Sequence, residues 1–329
     1  MEYPRVKHAH VVPRGYLARF ADDGVLTMHL AGKRLSREIG IRDAAVRTNF
    51  YRRTRPDGTR IDDIEWSLSK LEQAAVPVLR QVTTLWPLGN ENKAALAALF
   101  AYQTIRGPRW MEWHNDETRA FFEEARDTTE TEEHAALDQT ERHLLTDTAR
   151  LIRMLALGPK VTNVLGSMHW SLVAFPSPWL ATSDHPVVLW PIDQASRAPS
   201  PTPLNVGFLR TLEVTVPVSP NHAILMTWRD ERDAASPLLG AKHHAANLNA
   251  FTVANAERQW FHRPGKVPPR SSGMLRPVSA ELLRPYNSQE AWGSMRRAEI
   301  DRRTQAKLGV DDLQADYEIV TIDEIRRGS

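Results

Sequence analysis

The sequence predicts an α+β protein in which a helical N-terminal half packs on a mixed or antiparallel sheet from the C-terminal half. Apolar residues recur with helical spacing over about residues 62–158, after one or two short strands. Short apolar or alternating runs typical of strands follow over about 168–265. We therefore expect a single α+β domain over residues 1–265 and a C-terminal extension over 266–329.

The chain before the helices is predicted to form short strands and a hairpin. The Asp22-Asp23-Gly24 turn signal precedes an alternating strand at 25–30, and Pro56-Asp57-Gly58 closes a basic hairpin. Asp62 or Asp63 then caps an amphipathic helix that Pro77 should kink or interrupt.

Three further helices complete the helical half. A segment at 91–106 is Ala-rich and apolar on most faces, which indicates a central, buried helix that Gly107-Pro108 ends. A helix at 110–126 and one long amphipathic helix at 130–157 follow.

The C-terminal half is predicted to be rich in strands. The predicted strands are 169–175, 179–182, 186–190, 212–216 and 223–228. The other predicted elements are a loop at 196–205, a helix at 241–258, a charged helix at 290–308 and an edge strand at 317–322.

Composition excludes several classes of protein. The 329 residues are 42% hydrophobic and 25% charged with a formal charge of +2, as in ordinary globular domains. The absence of cysteine excludes a disulfide framework, a thiolate zinc site and a Cys nucleophile. No run approaches the roughly 18 apolar residues of a membrane span, so we expect a cytoplasmic protein without membrane contact. Neither a Walker A loop nor a Gly-x-Gly-x-x-Gly motif is present, which argues against nucleotide-cofactor enzymes.

The opening phrase holds the first candidate site residues. His8 and His10 point to one face if this segment is extended, because strand side chains alternate. Such a pair suits a metal, a phosphate or acid–base catalysis near neutral pH. The alternative is that one histidine is bonded in the core and the other lies on the surface.

The helical half contributes two carboxylates and a polar pair. Glu65 and Glu72 are seven residues apart and share a helix face among apolar neighbours. Because burying an unpaired carboxylate is costly, they are candidate metal ligands or partners of an arginine. Gln103 and Arg106 lie one turn apart on the apolar helix. Arg106 can bind a carboxylate or phosphate, or it can neutralise a helical glutamate in a purely structural network.

Asp184, in the phrase Ser183-Asp184-His185-Pro186, lies between two predicted strands. It can ligate a metal or orient His8 or His10. The alternative is an Asx-type turn in which the carboxylate caps its own backbone.

A basic loop next to Tyr51 is the candidate nucleic-acid surface. Arg52, Arg53 and Arg55 can follow a phosphate backbone, with Tyr51 available for base stacking. A solvated basic loop is the alternative.

Several separated phrases together resemble a known family. They are the opening His-x-His-x-x-Pro-x-x-Tyr-Leu-x-x-Phe, Asn49-Phe50-Tyr51, Glu65 with Glu72, Gln103-x-x-Arg106-Gly-Pro108, Thr182-Ser183-Asp184-His185-Pro186, Pro217-Val-Ser-Pro220 and Asn247 before Ala-x-x-Gln-Trp. In this order they resemble the bacterial family named domain of unknown function 4238, over about residues 5–265. The resemblance implies that the histidines, the helical carboxylates and Asp184 converge between the two halves. It implies no activity.

We expect a metal-assisted hydrolase that acts on phosphodiesters, similar to a nuclease and suited to bacterial or phage conflict. Mn²⁺, Mg²⁺ or Zn²⁺ would be bound by His8, His10, Glu65, Glu72 and Asp184. His8 or His10 would move protons, and Arg106 with Gln103 would stabilise charge. The expected partners are nucleic acid or a phosphorylated small molecule. Two alternatives stay open: a non-catalytic binding module with a buried polar network, and a metal-free small-molecule enzyme that uses the same pocket.

Overall fold

The computed structural model describes residues 8–54, 57–191, 211–228, 235–271 and 278–283, and within them the chain is α+β as predicted. The N-terminal strands are β1 (His8–His10), β2 (Val25–Leu30), β3 (Ser36–Gly40), β4 (Val46–Thr48), β5 (Arg53–Thr54) and β6 (Arg60–Ile61). The helices of this half are α1 (Arg14–Leu17), α2 (Asp63–Arg80), α3 (Asn90–Ile105), α4 (Pro108–Thr128), α5 (His134–Leu144) and α6 (Asp147–Ser167). The C-terminal elements are β7 (His169–Ala174), β8 (Thr182–Ser183), β9 (Val188–Pro191), β10 (Thr211–Ser219), β11 (His222–Thr227), β12 (Leu238–Leu239), α7 (Lys242–Asn255), β13 (Gln259–His262) and α8 (Ser279–Leu282).

Two larger sheets organise the described residues. The five-stranded sheet has the order β12-β7-β11-β10-β9 and is antiparallel except where β12 joins β7. The four-stranded sheet has the order β3-β2-β13-β8, so it combines N-terminal and C-terminal strands. The β13 strand pairs with β2 in antiparallel register from Gln259 opposite Leu30 to His262 opposite Thr27. The two halves of the chain are therefore joined by backbone hydrogen bonds as well as by packing.

The prediction of one or two strands before the helices was too low. Six short strands precede α2, and β1 pairs with β4 while β5 pairs with β6. The short strands β3 and β4 carry mostly polar, exposed or half-buried residues, so they show no apolar alternation to detect.

The first long helix is not interrupted by its proline. Its N-cap residue is Asp62, and it continues through Pro77 to Arg80. Ile64, Leu68, Ala75 and Leu79 bury one face of α2, in agreement with the predicted apolar stripe. Pro77 has no N–H group and cannot make the usual helical hydrogen bond. Packing of the apolar face stabilises α2 in spite of this loss.

The α3 helix is the central helix that its composition predicts. Most of its residues from Leu96 onward are buried, and it packs between α2 and α6. Tyr102 lies against α6 at Gly158, where an added Cβ would overlap the phenol ring. The two helices approach this closely because residue 158 has no side chain.

The single helix predicted at 130–157 is wrong. The segment consists of a 3-10 turn at Thr131–Glu133 and the separate helices α5 and α6. The hydroxyl of Thr146 accepts the Ala149 N–H at 3.2 Å and caps the second helix. Because Thr146 caps the start of α6, α5 ends just before it. The amphipathic period of the sequence continues across this break and therefore does not reveal it.

Part of the predicted C-terminal extension packs on the main sheet. Glu213 of β10 is buried and accepts the backbone N–H groups of Val278 (3.1 Å) and Ser279 (2.8 Å). Val278 and Leu283 join an apolar cluster that includes Val173 and other residues of the five-stranded sheet. The loop predicted at 196–205, the helix at 290–308 and the strand at 317–322 lie outside the described residues.

No helix in the described ranges combines the length and the apolar character that crossing a lipid bilayer requires.

Candidate functional site

A cavity of about 630 Å³ lies where β1, α1 and α2 meet. Its lining residues are His8, His10, Arg14, Gly15, Asp62, Glu65, Trp66, Ser69, Glu72, Gln73, Val76 and Pro77. The cavity therefore brings together four of the residues that the sequence singles out: both histidines and both helical glutamates.

Strand pairing places the two histidines. The β1 strand pairs with β4 so that His8 faces Thr48 and His10 faces Val46, with buried Ala9 between them pointing to the other side. His8 is exposed and His10 is half-buried. The His10 Nε2 donates to the Arg42 carbonyl at 3.0 Å, which leaves the lone pair on Nδ1. Burial lowers the pKa of His10, so the neutral ring dominates near pH 7.

Glu65 is the unusual carboxyl of the cavity. Its Oε2 atom is buried and has no hydrogen-bond partner among the residues that the structure describes. Burial raises the pKa of Glu65 to about 7, against the opposing effect of Arg106, and the nearby Glu72 and Asp62 raise it further. Glu65 is therefore close to half protonated at neutral pH.

Glu72 has a different environment on the same helix. Its Oε1 accepts from Arg106 Nη1 at 2.8 Å, and Arg106 is only 1% exposed. The Arg106 Nε also donates to the Val11 carbonyl at 2.7 Å. With its amide oxygen turned to the guanidinium, Gln103 accepts from Nη2 (2.5 Å) and Nε (2.8 Å). Arg106 thus joins α2, α3 and the β1–α1 connection in the structural network that the sequence left as an alternative.

Tyr51 lies behind this network. Its hydroxyl is buried, has no hydrogen-bond partner in the described ranges, and interacts electrostatically with Arg106, Glu65 and Glu72. Burial raises the pKa of Tyr51, so the hydroxyl keeps its proton. Sequence reasoning treated Tyr51 as a base-stacking residue, although Asn49-Phe50-Tyr51 is one of the phrases on which the resemblance rests.

Asp184 is not in the cavity. Its carboxylate accepts the backbone N–H groups of Glu257 (2.8 Å), Arg258 (2.8 Å) and Gln259 (2.9 Å). Asp184 therefore holds the backbone of residues 257–259 in place at the start of β13. Its carboxylate caps this distant segment, and within the described residues the predicted cap of its own turn is not formed. The expected convergence of Asp184 with the histidines and helical glutamates is absent.

The predicted metal ligands are consequently not assembled. Four of them line the cavity and the fifth, Asp184, caps β13. Within the described ranges, no group of three or more His, Asp or Glu side chains is arranged to hold a metal ion. Mn²⁺, Mg²⁺ or Zn²⁺ binding stays a prediction.

The basic loop is matched by carboxylates at the start of α2. Arg52 donates to both oxygens of Asp62 at 3.0 and 3.2 Å. Arg53 donates to Asp63 at 2.5 and 2.9 Å. These pairs hold the β5–β6 hairpin against the helix, and their charges are largely compensated. Arg55 lies outside the described residues.

Sequence reasoning missed Arg14 and Trp66 among the cavity residues. Arg14 is exposed on α1 and makes no side-chain hydrogen bond or ion pair with any residue that the structure describes. Trp66 is 40% exposed, and the Lys70 Nζ lies 4.8 Å from its ring centroid. Arg14 belongs to the opening phrase and Trp66 follows Glu65, but neither has a local signal beyond those neighbours.

Comparison with known proteins agrees with the resemblance. The family model described as protein of unknown function (DUF4238) matches residues 8–266, which is most of the chain. No curated protein and no solved structure matches the chain. On the strength of the family match, this chain belongs to the DUF4238 family.

Proposed function

We propose that the cavity is the active site of a cytoplasmic hydrolase that works by general acid–base catalysis. The observation that carries this proposal is a buried, unpartnered carboxyl oxygen, Glu65 Oε2, in a cavity that also contains His8 and His10. Buried polar atoms without a hydrogen-bond partner are rare in native structures, and groups with strongly shifted pKa values, such as Glu65, cluster at functional sites.

The two helical glutamates are suited to different roles. Glu72 forms an ion pair with Arg106, whereas about half of Glu65 carries its proton near pH 7. Glu65 can therefore protonate a leaving group, while a neutral histidine accepts the proton of the attacking water. The water oxygen forms the new bond as the leaving-group bond breaks. Proton return from the histidine to Glu65 through solvent restores the site.

Hydrolysis is the reaction class we favour because it needs only water beyond these side chains. Esters are the substrates, with phosphodiesters first, in nucleic acid or in a phosphorylated small molecule. The pairing of Arg52 and Arg53 with α2 carboxylates weakens the basis for a nucleic-acid surface. A divalent cation remains a proposed addition to the reaction and is tested in the same assay.

The test is an ester panel assayed with purified protein. The substrates are bis-p-nitrophenyl phosphate, p-nitrophenyl phosphate and p-nitrophenyl acetate, each with EDTA or with Mn²⁺, Mg²⁺ or Zn²⁺. We expect turnover of at least one ester, and Glu65→Gln should lower kcat by about 100-fold or more. Glu117→Gln, an exposed carboxyl on α4, is the matched control and should keep full activity. No turnover by folded wild type, or equal activity of Glu65→Gln, contradicts the proposal.

A non-catalytic module is the second candidate, and the Arg106 network favours it. The Val11 carbonyl, Glu72 and Gln103 all accept hydrogen bonds from this buried guanidinium. A network that joins three segments in this way is suited to stabilising the fold. If this candidate is right, Glu72→Gln destabilises the protein, Glu65→Gln does not destabilise it, and no ester is hydrolysed.

A further inference from the structure

We propose that the cavity binds its substrate through an anionic group, a carboxylate or a phosphate, which Arg14 holds while the organic remainder lies along Trp66, Val76 and Pro77. This deepens the proposed function by naming the substrate class. Binding of the anion is nevertheless measurable without turnover.

The balance of charges in the cavity points to Arg14. Three carboxyl groups line it, and two of them are neutralised: Asp62 pairs with Arg52, and Glu72 pairs with Arg106. Among the described residues that line the cavity, the charges left over are the Arg14 guanidinium and the ionised fraction of Glu65. The described part of the cavity therefore offers a ligand a cation that no described carboxylate pairs with.

The donors of Arg14 are available. The described residues engage none of its N–H groups, and its side chain is exposed at the cavity. A guanidinium presents paired N–H groups that match the two oxygens of a carboxylate or phosphate. The exposed His8 at the same cavity can add a donor to a larger oxyanion.

The α2 wall of the cavity carries three apolar residues, Trp66, Val76 and Pro77, among its polar ones. Trp66 presents an unusually exposed ring for its size, and Val76 and Pro77 continue the same helical wall. Gly15 sets the distance between this wall and Arg14. A Cβ at residue 15 would come within 2.6 Å of Val76 Cγ1, so α1 approaches α2 because this residue is glycine. Lys70, which is not a lining residue, places its Nζ 4.8 Å from the centroid of the Trp66 ring.

Calorimetry with four small probes tests the proposal. Phenyl phosphate and benzoate carry a ring and an anion, while phenol and benzyl alcohol carry the ring alone. We expect wild type to bind at least one of the anionic probes, and to bind it more tightly than either neutral probe. Tighter binding of phenyl phosphate assigns the site to phosphates, and tighter binding of benzoate assigns it to carboxylates. Either result supports an anion site.

Variants locate the site. Arg14→Gln should weaken the anionic probe by about tenfold or more, the effect of losing a charged hydrogen-bond pair. Arg14→Lys should retain part of the affinity. Arg34→Gln, an exposed arginine in the turn before β3, is the matched control and should bind like wild type. Because Arg14 is exposed and unpaired with any described side chain, its variants should keep the wild-type melting temperature.

Equal affinity for charged and neutral probes, no binding of any probe, or an unchanged affinity in folded Arg14→Gln would overturn the proposal. Glu65→Gln separates it from the proposed function, since this variant should still bind the anion while losing turnover. Wild type that binds the anion but hydrolyses no ester leaves the anion site standing and refutes only the hydrolase.

Discussion

At the scale of single residues, the environment of Glu65 has a consequence for stability. Its folded-state pKa of about 7 lies above the ordinary value of 4.5, so the folded protein holds this proton more tightly than the unfolded chain does. Below about pH 4.5 both states are protonated and Glu65 has no effect. As the pH rises through this window, Glu65 increasingly opposes folding, and its effect is complete above about pH 7.

Glu65→Gln should therefore become progressively more stable than wild type as the pH rises. We expect little difference at about pH 4.5 and a gain of about 1–2 kcal/mol at about pH 8, reduced from the full shift because solvent screens a half-buried group. Urea unfolding at several pH values measures the difference. Glu117→Gln, on the exposed face of α4, should show no such trend, and a parallel rise in both variants would contradict the assignment to Glu65.

Arg106 leads to the opposite expectation, because its removal leaves a charge without its partner. Arg106→Met removes the donor to Glu72 and to two further acceptors, the Val11 carbonyl and the Gln103 amide oxygen. We expect a loss of about 3–5 kcal/mol in the free energy of unfolding. The double variant Arg106→Met/Glu72→Gln should recover part of that loss. The exposed Arg119–Asp116 pair on α4 provides the control, since Arg119→Gln should cost less than about 1 kcal/mol. Similar losses in both arginine variants would rule out the buried network as the cause.

At the scale of elements, local pattern predicted what local interactions determine. The apolar period of α2 and the composition of α3 identify both helices, because each buries a face that its own residues define. The break between α5 and α6 depends on one threonine that caps. The β13 strand escaped prediction because its partner, β2, lies more than two hundred residues earlier in the chain. Pairing of that range leaves no local pattern.

The same distinction explains the candidate site. Period-two and period-seven spacing placed His8 with His10 and Glu65 with Glu72, and all four line the cavity. The role of Asp184 depends on backbone N–H groups about seventy residues away, which no spacing reveals. Arg14 was missed because an exposed arginine looks the same in sequence whether or not a cavity lies beside it.

The contact of α3 with α6 predicts a contrast between two glycines of one helix. Gly158→Ala would force a methyl group into Tyr102 and should cost about 1–3 kcal/mol through overpacking. Gly166→Ala faces open space and should be neutral or stabilise the helix by up to about 1 kcal/mol. Thermal unfolding of both variants measures the contrast. Equal effects would mean that helix propensity, and not the close approach, governs position 158.

At the scale of the whole molecule, we expect two histidines whose pKa values are lowered by burial, His185 and His114, to make the fold sensitive to acid. His185 is fully buried, its Nδ1 accepts from Asn255 at 2.9 Å, and burial lowers its pKa to about 4. His114 has its pKa lowered to about 4, mainly by burial. Between the ordinary value of 6.5 and about 4, the unfolded chain binds more protons, so stability falls as the pH falls.

Replacement of His185 should reduce the decrease in the free energy of unfolding as the pH falls below about 6.5. Between about pH 7 and pH 4, titration of His185 should lower the free energy of unfolding of wild type by about 2–3 kcal/mol. The total decrease in His185→Asn over the same range should be smaller by about this amount. Urea unfolding across the range gives both slopes. His143→Asn, on the exposed side of α5, should follow the wild-type curve. An unchanged slope in His185→Asn would place the acid sensitivity elsewhere.

Residues 278–283 show that the range of family similarity and the range of residues packed on the main sheet end at different points of the chain. Family similarity ends at residue 266, yet the carboxylate of Glu213, inside the main sheet, is satisfied by backbone N–H groups beyond that point. A chain ending at residue 266 would keep every shared motif while leaving a buried carboxylate without donors and part of an apolar cluster uncovered. The stretch that matches the family is therefore shorter than the stretch that supplies hydrogen-bond donors to Glu213 and covers this side of the sheet.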